Sequence, residues 1–160
     1  MKLQHIILAL TLLIFSTTIS SANTGTEDLI VVTTKLYNIT GTVMSDMKFI
    51  ASLPESKQLL YLYSKARLDQ AVQLFDTIVT IRNIYDQSSG CKSNIAKTVV
   101  ASSLISKTRV EIMLRQLTDL EKKLKEANLP ILHKIICDAI QATEEGLATV
   151  TVLTRFMNNK

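Results

Sequence analysis

The chain has 160 residues, 47% of them hydrophobic, with 18 basic against 14 acidic side chains and a net charge of +4. The two signs are interspersed, as in Glu121-Lys122-Lys123-Leu124-Lys125-Glu126, whereas a nucleic-acid binder gathers its positive charge on one face or in one run. Tryptophan is absent, which also argues against stacking platforms for bases.

Met1 to Ala22 reads as a secretory signal peptide. Lys2 is its positive start, and Ile6 to Phe15 is an apolar run with Thr11 its one polar residue, only about half the ~20 residues that a membrane span needs. Ser20, Ser21 and Ala22 supply the small residues of a cleavage site before Asn23. An uncleaved anchor is the competing reading. Cleavage would leave 17 basic against 14 acidic residues in a single domain, 23–160. No later stretch is apolar enough to span a membrane, so the expected product is soluble, secreted and extracellular.

In the mature part, Glu27 and Asp28 carry the negative charge that a helix N-terminus favours. Leu29, Val32, Leu36, Ile39, Val43, Met47 and Ile50 then follow alternating steps of three and four, which predicts a first helix. Its β-branched residues, Ile30 to Thr34, keep a strand in competition over this third of the chain, and Gly41 interrupts it. Ser52, Pro54 and Glu55 mark a new start. A second helix follows with two adjacent stripes, one through Leu60, Ser64, Arg67, Ala71, Leu74, Ile78, Ile81 and Tyr85, the other through Leu68, Val72, Phe75 and Val79. So broad an apolar face places it deepest in a bundle. It ends in the turn formers Asp86 to Gly90.

The next stripe opens at Ala96, Val99 and Ser103 and resumes at Val110, Met113, Leu117, Leu120 and Leu124. Between them, Ser102–Thr108 is rich in hydroxyls that compete for backbone bonds. Last comes a helix of about 28 residues, roughly 40 Å long, capped by Asn128 with Pro130 in its first turn. Leu132, Ile136, Ala139, Thr143, Leu147, Val150, Thr154 and Met157 form its stripe. The chain is thus expected to be all-α, an antiparallel bundle of four to five helices.

Two cysteines in a secreted chain usually pair, and Cys91–Cys137 is the expected bond. One straight helix from Cys91 to Ala127 would hold them far beyond the ~7 Å Cα limit of a bridge. A reversal near residue 105 would bring them together, so the bond implies a fold-back within Ser102–Thr108.

Chemistry finds little material. His133 is the only histidine outside the leader, and alone on a polar-facing turn it reads as a surface residue. With one histidine and both thiols tied up, no familiar zinc or copper site can be assembled, and no cofactor is expected. Four scattered glycines, at 25, 41, 90 and 146, form no phosphate-binding loop. Glu144, Glu145 and Asp138 read as solvent-facing acids, and a Ser or Thr nucleophile would lack its base. No enzyme is expected. Asn38-Ile39-Thr40 is the only N-glycosylation sequon, with Asn38 facing outward. Met44, Met47, Met113 and Met157 sit at seam positions, as core filling or a soft partner surface.

In architecture and composition the chain has the general look of small helical proteins of insect saliva, venom or haemolymph, a likeness that no specific motif carries. The expected function is a secreted, non-catalytic protein that binds an extracellular macromolecular partner, a protein, through a helix face. The alternatives are a carrier of small apolar or lipid-like ligands and a cytokine-like signal, although cytokine bundles need longer crossovers than these connections supply. N-terminal sequencing of the protein from the medium of secreting cells should begin at Asn23; a chain still carrying Met1 would contradict the leader.

Overall fold

The computed structural model describes residues 25–87 and 92–158, which fold into five helices with no strand among the described residues. Helix α1 covers 25–42, and α2 is the short Met47–Ser52. The three long rods are α3 (Glu55–Gln87), α4 (Lys92–Glu126) and α5 (Pro130–Asn158). No helix among the described residues is long and apolar enough to cross a membrane.

The long helices run up, down, up and down, with α2 set into the α1–α3 connection. As α1 ascends through Gly25, Val32 and Lys35, its neighbours on α5 descend through Leu153, Gly146 and Glu145. Helix α3 packs on α4, where the Arg67 Nη1 donates to Gln116 Oε1 at 3.1 Å. Among helices α2 to α5, the most extensive contact is between α4 and α5.

The first predicted helix, continuous to Ile50, is in fact split at residues 43–46. The hydroxyls of Thr42 and Ser45 donate to carbonyls three residues back, those of Ile39 and Thr42. The Asp46 carboxylate accepts from the Phe49 N–H at 2.9 Å and so caps α2. The strand alternative for this third of the chain fails: Thr33 and Thr34 hydroxyls bond the carbonyls of Leu29 and Ile30 in helical register.

The fold-back expected in Ser102–Thr108 is absent. Helix α4 runs through this stretch unbroken, because the competing hydroxyls are satisfied inside the helix. Ser106 Oγ donates to the Ser102 carbonyl at 2.7 Å and Thr108 Oγ1 to that of Leu104 at 3.2 Å. Lys92 therefore stands about 50 Å along the rod from the α4–α5 turn, and Cys137 only ~10–15 Å back from it. Cys91 itself lies outside the described residues, and Cys137 carries a free thiol.

Asn128 was expected to cap α5, but it terminates α4. It has φ of 53°, a left-handed conformation that asparagine tolerates better than most residues. The Leu129 N–H donates to the Leu124 carbonyl and the Asn128 N–H to that of Lys125, both at 3.2 Å. These bonds make a Schellman motif, with Leu129 and Leu124 both buried as its hydrophobic pair. Pro130 then opens α5, and the His133 N–H donates to the Leu129 carbonyl at 2.8 Å.

The deepest helix is α5, not α3. It buries Leu132, Ile136, Ala139, Ala142, Thr143, Val150, Leu153 and Thr154, together with Gly146. Against it lie Leu29, Val32 and Leu36 of α1 and Val110, Met113, Leu117, Leu120 and Leu124 of α4. On α3 a single stripe is buried, through Tyr61, Ser64, Leu68, Ala71, Phe75, Ile78 and Arg82. It draws on both expected stripes: Ser64, Ala71 and Ile78 come from one, Leu68 and Phe75 from the other, while Leu60, Leu74, Ile81, Val72 and Val79 are only half-buried. The buried Arg82 is satisfied by Asp86 at 3.0 Å and lies over the Tyr85 ring.

Gly146 has a steric reason to be glycine. A Cβ there would overlap the ring of the fully buried Phe75 and lie 3.1 Å from Val32 Cγ1. Gly41 meets nothing within 4 Å. Gly146→Ala should therefore destabilise the protein by about 1–3 kcal/mol, whereas Gly41→Ala should stabilise it by ~0.4–1 kcal/mol. Urea unfolding followed by circular dichroism checks both signs.

Candidate functional site

Among the described residues, three surface features bring functional side chains together. The first is an apolar groove of about 260 Å³ at the end of the bundle that carries α2. The split between α1 and α2 creates it: the chain turns at 43–46 and lays Phe49 and Ile50 across the first turns of α5. Val43, Ile50 and Tyr61 form its buried floor, while Ile131 and Ile135 form the α5 wall. Ile131 is 65% exposed at the rim, and Met47, on the same short α2 as Phe49, is 58% exposed. Burial pushes the Tyr61 hydroxyl up from its ordinary range, with Asp46 adding to the shift. The ring is thus a neutral part of the floor.

The second is a more polar groove of about 400 Å³ between α1 and α5, lined by Lys35, Asn38, Asp138, Gln141 and Glu145 among others. Lys35 Nζ bonds Glu145 Oε2 at 2.6 Å and ties the two helices together. Asn38, the sequon residue, is exposed here. Thr40 is buried, with its hydroxyl donating to the Leu36 carbonyl. Of the acids considered from sequence, Glu144 is exposed and Asp138 lies 3.9 Å from Lys134.

The third cluster was not anticipated. His133 is not isolated. It is half-buried against α4, with Nε2 2.6 Å from Glu121 Oε1. The Glu121 carboxylate, in the charged run of α4, faces α5. One turn beyond His133, the Cys137 Sγ lies 3.9 Å from both ring nitrogens. Donor atoms of Glu121, His133 and Cys137 all fall within 4.8 Å of one another. Burial pushes the Cys137 thiol up from its ordinary range, and Glu121 and Asp138 push it further. A nucleophilic cysteine needs the opposite environment, one that favours the thiolate. Cysteine, base and carboxylate are thus adjacent without the activation that acyl transfer requires.

One signal for this cluster was present in the sequence. His133 and Cys137 are four apart, the spacing that puts two ligands on one helix face. Assigning Cys137 to a disulfide hid it, and Glu121 becomes a neighbour only through the α4–α5 register.

The chain matches no protein-family model, no curated protein and no solved structure.

The Lys35 ammonium holds the Glu145 carboxyl below its ordinary value of 4.5, mainly by direct hydrogen bonding. Because the folded value is the lower one, the pair stabilises the fold above about pH 4.5 and loses that contribution as pH falls through the lowered value. The pair is solvent-exposed, which limits its worth to ~1 kcal/mol or less. Glu145→Gln should lower stability slightly at pH 7, and the difference from wild type should vanish at pH 2–3, as read by urea unfolding at the two pH values.

Proposed function

We propose that this is a secreted, non-catalytic helical protein that docks an extracellular protein through the apolar groove at the α2 end of its bundle. The observation that carries this reading is the groove itself. Apolar side chains that the core does not need, Ile131 and Phe49, stand at its rim, over a floor held rigid by Val43, Ile50 and Tyr61. The occupant that fits is an apolar side-chain cluster of a partner protein. Exposed isoleucine, phenylalanine and methionine around a rigid floor are what interface cores use.

A carrier of lipid-like ligands is the second reading, and the size of the α2 groove disfavours that groove as its site. Small-molecule sites are concave pockets of about 300–1,000 Å³ that enclose most of the ligand. This groove is about 260 Å³ and open along one side. On this reading the sequon at Asn38 carries the glycan of a secreted product.

Pull-down from the fluid that the protein enters, with wild type and Ile131→Asp in parallel, tests the proposal. A protein partner captured by wild type and lost at least tenfold with Ile131→Asp, at unchanged helicity, is the expected result. Equal capture by both proteins would overturn the proposed surface. Saturable binding of a fluorescent fatty-acid analogue with no protein partner would favour the carrier.

A further inference from the structure

The geometry points to a zinc site formed by Glu121 of α4 with His133 and Cys137 of α5, independent of the docking groove. Its three donor types, a carboxylate oxygen, an imidazole nitrogen and a thiolate sulfur, are the set from which zinc sites are built. Soft sulfur together with imidazole disfavours magnesium and calcium, which take oxygen ligands.

The distances support it. Zinc bonds of about 2.0–2.3 Å in a tetrahedron separate neighbouring ligand atoms by roughly 3.3–3.7 Å. Sγ already lies 3.9 Å from the His133 ring nitrogens, and all three donors fall within 4.8 Å. The His133–Glu121 contact, at 2.6 Å, is a hydrogen bond that opens by less than about 1 Å when a metal replaces the shared proton. Small rotations of three side chains close the set, with no backbone movement.

Scaffold and charge agree with the distances. His133 and Cys137 are held four residues apart on a rigid helix, and Glu121 comes from its antiparallel neighbour. Helical bundles build metal centres in this way, from side chains on facing helices. A neutral imidazole, a thiolate and a carboxylate sum to two negative charges, which a dication neutralises in a partly desolvated cleft. Side-chain exposures of 30% for His133 and 25% for Glu121 leave an approach for the ion and a fourth position for water. Three protein ligands leave one coordination position open, unlike the closed four-ligand sites of structural zinc.

The test uses the reduced, metal-free full chain titrated with Co²⁺, a spectroscopic stand-in for zinc, followed by Zn²⁺. A near-ultraviolet thiolate-to-cobalt band saturating at one equivalent and displaced by zinc is expected. It should vanish in Cys137→Ser and persist in Cys91→Ser, with affinity falling at least tenfold in His133→Gln and in Glu121→Gln. Circular dichroism of each variant guards against unfolding, and Cys137→Ala stands in if the serine variant loses helicity. No thiolate band, or a band that survives loss of the Cys137 sulfur or disappears with that of Cys91, would overturn the site.

Discussion

Every long helix of this protein leans on α5, and α5 can receive them because its middle is lined with small side chains. Ala139, Ala142, Thr143 and Gly146 are all buried. Gly146 admits the Phe75 ring from α3 and the Val32 methyl from α1 at the same level. Interiors pack as densely as organic crystals, so a ring that fills the space of a missing Cβ fixes where α3 and α1 sit relative to α5. The larger residues toward the α5 ends, Leu132 and Ile136 on one side and Val150 and Leu153 on the other, then close the seam in both directions.

The turn at Asn128 sets the other coordinate, the register of α4 against α5. A left-handed residue with two backbone bonds reaching back into α4 permits one exit angle, and Pro130 starts the next helix at once. From this short hairpin the facing residues follow. Leu124 and Leu129 meet at the turn, and Glu121 stands opposite His133 and Cys137 a little further on. The polar cluster is thus a consequence of the hairpin, and the groove a consequence of the break before α2. Both lie toward the same end of the bundle, where the chain reverses twice.

The periodicity of apolar residues made the bundle legible. The stripe from Leu132 to Thr154 is the buried face of α5 except at Leu147, where the neighbouring Gly146 takes the inner position. The count of five helices agrees with expectation, but for another reason. The expected fifth came from a reversal at Ser102–Thr108, whereas the observed one comes from the turn at 43–46. Serine and threonine explain both errors, because a hydroxyl can bond a carbonyl within a helix as readily as it can end one. In α4 the bonds of Ser106 and Thr108 span four residues and preserve the helix. Those of Thr42 and Ser45 span three and accompany its end. Composition does not distinguish these outcomes; the neighbouring Gly41 and Asp46 do. The metal-type cluster was illegible for a different reason. One of its members was assigned elsewhere, and another belongs to a helix whose register no local pattern states.

Two properties of the surface bear on what such a protein can do. Its ion pairs are mostly within one helix or exposed, as with Lys65–Asp69 and Lys107–Glu111, and contribute little to either stability or recognition. Its exposed apolar residues are spread over every helix, and Ile131 is the most exposed of those lining the α2 groove. Single exposed apolar residues are ordinary on a protein surface. A rim of them over a buried floor is different, because each contact made there removes area from water on both partners without ordering a mobile loop. The floor residues Val43 and Ile50 are also core residues, so the groove keeps its shape as long as the bundle is folded. Recognition at this end would then draw on the same packing that seats α1, α3 and α5 together.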